Sequence, residues 1–205
     1  MKKTLKISVI SIITSISLFV SLHIIAIAAV SLDQDIYSTY QYSPQIIREQ
    51  FEKEGWNISV MEGSKLDSTY GPTIGLQKGY SIAGITIYKE KSIYLSSYDD
   101  YAVCSCNHEM GHFFDYTYMV YKKGGTLPSK SKEFYKLYGE ELIRKTDSGL
   151  FIDYERCGVD EYFAQAYKYY CEDPTSLKKY YPNTYTYIEN LLITYDSIRN
   201  KETAK

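Results

Sequence analysis

Residues 99–121 read DDYAVCSCNHEMGHFFDYTYMVY, and this stretch decides the fold. The pattern predicts one long helix from about Asp99 to Tyr121. The two aspartates suit its positive end, and Lys122, Lys123 and Gly124 suit its finish. Within it stands His108-Glu109-Met110-Gly111-His112, an H-E-x-x-H spacing. Residues four apart share a helix face, so both imidazoles reach one metal ion. Glu109 sits about 100° round the helix, beside the metal's open position. Neutral imidazole nitrogens suit zinc. A site that also used Cys104 fails on reach, because Cys104 and His112 are about 12 Å apart along a straight helix. The bland alternative is two solvated surface histidines beside a glutamate.

Outward from this helix the pattern changes character. Upstream, Ser43-Pro44 reads as an N-cap and first helical position, opening a helix that carries Ile46, Ile47 and Phe51 and stops at Gly55. Trp56 to Met61 alternates as a strand. Leu66 to Gly79, with its three glycines and one proline, reads as loop. Tyr80 to Ser96 reads as a β-hairpin turning at Lys89-Glu90-Lys91-Ser92, with Ile85, Ile87, Ile93 and Leu95 forming its apolar face. Downstream come helices over about Ser131–Lys145, Val159–Cys171 and Asn183–Arg199. Strands precede helices, so the class is α+β, a small mixed sheet followed by a helical C-terminal half.

At the other end, Lys2, Lys3 and Lys6 precede an uncharged run from Ile7 to Val30, and Ala26-Ile27-Ala28 offers small residues at cleavage spacing. Residues 1–28 therefore read as a secretory signal, with a retained membrane anchor as the alternative, and residues 29–205 as a single exported domain. The 205 residues carry 23 Lys+Arg against 25 Asp+Glu, a balance that argues against a nucleic-acid partner. Of the three histidines, His23 lies in the leader, so both others belong to the one motif. The 24 tyrosines read as chiefly surface and rim residues. Cys104, Cys106, Cys157 and Cys171 either bridge between the two cysteine regions or remain reduced.

The helix needs a third ligand from elsewhere. Asp115 and Tyr118 stand where the long metzincin motif has Gly and His, which removes that class. Glu133, Glu140 and Glu141 are possible by distance. Glu161 is the better candidate, because its helix, Glu161-Tyr162-Phe163-Ala164-Gln165-Ala166-Tyr167, has small alanines that permit close packing. The pairing of His108–His112 with this segment resembles the catalytic domain of anthrax lethal factor, and is similar to the secreted Pro-Pro endopeptidases of Gram-positive bacteria. Tyr181-Pro182-Asn183-Thr184-Tyr185 and Ile188-Glu189-Asn190-Leu191 extend the resemblance, which covers about residues 78 to 195.

The resemblance implies a zincin-like domain and a zinc metalloendopeptidase. It implies Glu161 as third ligand to one Zn²⁺ with His108 and His112, and Tyr154, seven residues before Glu161, as an aid to catalysis beside the general base Glu109. The expected partner is a protein or peptide substrate, bound in extended form along the hairpin edge near Tyr80 to Ile87. A membrane enters only if the leader is retained. Asp115 either accepts a hydrogen bond from a ligand histidine or is a solvated charge. The rival functional readings are a catalytically silent, zinc-containing, toxin-like binding module and an anchored tyrosine-rich surface protein.

Overall fold

A computed structural model of the chain describes residues 33–122, 125–142, 150–151 and 158–203. The expected signal, Tyr154 and Cys157 lie outside the described residues. The chain divides at residue 38 into two units. The described part of the first, residues 33–38, is helical. All that follows concerns the second, Thr39–Lys205.

Helix α1, Gln45–Lys53, buries Ile47 and Phe51 and ends ahead of Gly55, whose φ of 75° needs a residue without a Cβ. Ser43, expected from the sequence to cap it, does not; its hydroxyl instead donates to Asn107 Oδ1 at 2.8 Å. Strand β1, Asn57–Met61, leads to α2, Gly63–Ile74, where a loop was expected. The Glu62 side chain accepts from the amides of Ser64 and Lys65 and so starts this helix. Gly75, at φ 70°, ends it in the left-handed conformation. The glycine and proline thus punctuate the end of a helix.

Strands β2, Gly84–Ile87, and β3, Ser92–Ser96, form the expected hairpin. The sheet order is β1-β3-β2, with β1 parallel and β2 antiparallel to β3. The register pairs Thr86 with Ile93 and Gly84 with Leu95. Directly paired residues share a face, so the expected four-residue apolar face splits. Ile93 and Leu95 are fully buried with Thr86 and Gly84 on their side, whereas Ile85 and Ile87 point to the other. The apolar residues of the two strands are out of phase, which the strand pattern alone does not reveal.

Helix α3, Tyr101–Tyr121, follows the sheet. A 3₁₀ turn, Pro128–Lys130, α4, Lys132–Leu137, and a π-helical turn, Tyr138–Leu142, replace the single helix expected from Ser131. Then come α5, Val159–Glu172, α6, Pro174–Tyr180, which the sequence reading missed, and α7, Pro182–Thr203. The core between α3, α5 and α7 is aromatic. Phe114, Phe134, Phe163, Tyr162, Tyr167 and Tyr195 are all fully buried there, and Phe113 packs on the opposite side against Phe51 and Trp56. Reading tyrosine as a surface and rim residue overlooks this core. The buried Tyr162 hydroxyl finds a polar partner at Thr184 Oγ1, 2.9 Å away.

Among the described cysteines, Cys104, Cys106 and Cys171 are free thiols, in keeping with the reduced alternative. Burial pushes the Cys106 thiol up to about 12, which makes it an inert packing group.

Candidate metal centre

Helix α3 sets His108 and His112 one turn apart, with ring centroids 5.0 Å from each other. The third group arrives from α5. Glu161 Oε2 lies 3.1 Å from His108 Nε2 and 3.6 Å from His112 Nε2. What allows this convergence is the residue between the histidines. A Cβ at Gly111 would stand 2.8 Å from Ala164 Cα and 2.9 Å from its carbonyl oxygen. The two helix backbones touch there, and only glycine against a small residue permits it.

The donor set fits zinc. Two ligands about 2.1 Å from a tetrahedral ion lie about 3.4 Å apart, a spacing that the two observed separations bracket. All three candidate donor atoms lie within 4.8 Å of one another. His108 Nδ1 is 3.0 Å from Gln165 Oε1. An amide oxygen only accepts, so that nitrogen carries the proton and Nε2 keeps its lone pair for a metal.

The electrostatics favour a cation. Burial works against a charge on His112, yet Glu161, Glu109 and Asp115 outweigh it and lift its pKa to about 9. Burial also opposes the Glu161 charge, but the two imidazoles hold its carboxyl well below the usual carboxylate range. Glu109, 4% exposed, points from α3 toward β2, where Thr86 Oγ1 donates to its Oε2 at 2.7 Å.

The family described as anthrax toxin lethal factor, N- and C-terminal domain, matches residues 64–191, more than half of the chain. The chain belongs to this family. Among solved structures it is similar to the Pro-Pro endopeptidase PPEP-2 from Paenibacillus alvei, at 19% identity and a TM-score of 0.56. The match covers 78% of this chain and 91% of that one. No curated protein matches the chain significantly. The lethal factor resemblance drawn from the motifs is thereby established, and the α+β architecture agrees with the solved relative.

Two of the other acidic candidates, Glu140 and Glu141, have partners elsewhere in this lethal factor family member. Glu141 is buried at the start of α7, accepting from the amides of Asn183 and Thr184 and from the Thr184 hydroxyl at 2.6 Å. Glu140 lies 3.9 Å from Lys136. Asp115 is buried rather than solvated, and it accepts from the Ser129 amide at 2.8 Å and from the Ser129 hydroxyl. It thus pins the 3₁₀ turn to α3 and acts on His112 through its charge.

Sequence reasoning missed Gln165, Thr86 and Gly84. Gln165 carried a signal, standing four residues after Glu161 and so on the same helix face. Thr86 and Gly84 carried none, because their approach to Glu109 depends on the strand register.

Proposed function

We propose that this chain is an exported, zinc-dependent endopeptidase that hydrolyses peptide bonds in protein substrates. The observation that carries the reading is the convergence of donor atoms of His108, His112 and Glu161, from two helices, to within 4.8 Å of one another. Those three side chains would hold the ion. When bound, zinc supplies Lewis acidity that brings an attacking water's pKa toward about 7.

The chain's own groups do the rest. Glu109 accepts the proton of the attacking water and passes it to the leaving nitrogen. An extended substrate adds along the outer side of β2, the edge strand, whose Thr86 already touches Glu109. Its scissile carbonyl is thereby carried past the carboxylate. By family resemblance the Tyr154 hydroxyl donates to the oxygen on which negative charge develops. Residues 1–28 serve as the export signal and are removed.

The test is cleavage of a peptide library by the zinc-loaded chain, read by mass spectrometry. New termini are expected, and they should vanish in Glu109→Ala, which retains its zinc. A zinc-loaded chain that cuts nothing would leave the silent-module reading standing. The cleavage profile also separates a proline-directed preference from others.

A further inference from the structure

The carboxylate of Glu109 is almost wholly buried, and a buried charge costs several kcal/mol unless something fixes it. Two residues of one strand meet it. Thr86 Oγ1 donates to Oε2 at 2.7 Å. Two residues earlier, on the same face of β2, Gly84 leaves a vacancy that the glutamate fills. A Cβ there would lie 2.8 Å from Glu109 Cγ and 2.9 Å from Oε1. Gly84 is not among the residues with positive φ, so glycine is needed at this position for room and not for backbone conformation.

The strand lies close on the helix. Ser105, one turn before Glu109 on α3, shares its hydroxyl proton between the Tyr101 carbonyl of its own helix, at 2.6 Å, and the Ala83 carbonyl just ahead of β2, at 3.0 Å. The start of β2 therefore lies against α3 one helical turn before the Thr86–Glu109 hydrogen bond. Threonine is a stiff donor, because its branched Cβ restricts χ1. A hydroxyl on such a side chain fixes the direction of its hydrogen bond, and through it the plane of the carboxylate.

We propose that Thr86 and Gly84 are positioning residues that hold the Glu109 carboxylate in one orientation, Oε2 clamped by the hydroxyl and Oε1 seated over the glycine and left for the attacking water. This rests on the reading of Glu109 as the base. The role is one of aim. Neither residue hydrogen-bonds to His108, His112 or Glu161, and a substrate can bind along β2 without the Thr86 hydroxyl.

The test uses the full zinc-loaded chain and the isosteric substitution Thr86→Val, with Thr86→Ser as the rescuing variant. Losing a hydrogen bond to a charged group corresponds to about a 10- to 100-fold fall in kcat. KM is expected to stay within about twofold and the zinc content to stay unchanged, because only the aim of the base is lost. Thr86→Ser is expected to recover kcat to within about threefold of the parent. Crystal structures of the parent and of Thr86→Val give a second readout. Glu109 is expected in one rotamer in the parent and displaced or multiply placed in the variant.

Unchanged kcat in Thr86→Val, or equal loss in Thr86→Ser, would overturn the proposal. So would a loss confined to KM or to zinc content. A parent that holds Glu109 on Thr86 in the crystal yet cleaves no peptide would support the cradle and refute the peptidase reading. Cleavage with Glu109 turned away from Thr86 would do the reverse.

Discussion

Replacing Gly111 by alanine probes the contact that brings the proposed metal-binding groups together. The new Cβ would stand 2.8 Å from Ala164 Cα, a backbone atom that cannot swing aside. Relief to an ordinary carbon contact of about 3.5 Å requires α3 and α5 to part by about 0.7 Å. Zinc–ligand distances tolerate about 0.2 Å. The separation therefore carries Glu161 out of range of an ion seated on the two histidines, and the third ligand is weakened or lost. Zinc affinity is expected to fall by at least the roughly 10- to 100-fold typical of a lost supporting contact. Overpacking costs about 1–3 kcal/mol, offset by up to about 1 kcal/mol from the better helix propensity of alanine. The metal-free chain should thus lose up to about 2 kcal/mol, a Tm shift of about 4–8 °C at this size. Competition with a chromophoric chelator measures the affinity, and a thermal melt measures the stability. Gly139→Ala is the control, since nothing lies within 4 Å of the Cβ it would add. Zinc affinity within twofold of the parent in Gly111→Ala, with an unchanged melt, would refute the reasoning.

Gln165→Leu removes the acceptor that orients His108 and should weaken zinc binding about 10- to 100-fold, while Gln165→Glu should retain it. Phe114→Ala, which opens a hole among Tyr118, Phe163, Tyr167 and Tyr195, should cost about 3–5 kcal/mol in a urea titration. Without metal, stability should depend on pH with a definite sign. His112 binds its proton more tightly folded than unfolded, so its contribution is whole below about pH 6.5 and is lost as pH rises toward about 9. Glu161, with its pKa lowered, contributes above about pH 4.3 and loses that contribution as pH falls. The urea midpoint of the chelated chain should therefore decline between about pH 6.5 and 9, and His112→Ala should flatten that decline.

The parts legible in the sequence were those governed by local periodicity. Helix α3 and the shared face of His108 and His112 follow from 3.6 residues per turn. The small residues of α5 signalled close packing, which Gly111 and Ala164 realise. The parts that were not legible depend on pairing between distant segments. The β2–β3 register placed Thr86 and Gly84, and not Ile85 and Ile87, on the side of the buried Ile93 and Leu95. Helix α2 hid behind its own terminators, because Gly71, Pro72 and Gly75 sit in its last turn and at its cap. The tyrosines of the core, such as Tyr162 and Tyr167, are amphipathic. Only a tertiary partner for the hydroxyl, Thr184 for one and Ser43 for the other, reveals which are buried.

An anomalous difference map at the zinc edge, from crystals of the zinc-loaded chain, tests the metal centre most directly. A single peak is expected about 2.0–2.3 Å from His108 Nε2, His112 Nε2 and Glu161 Oε2, with Glu109 beside it and unbonded. A peak that omits Glu161, or one that includes Glu109 as a ligand, would contradict the account.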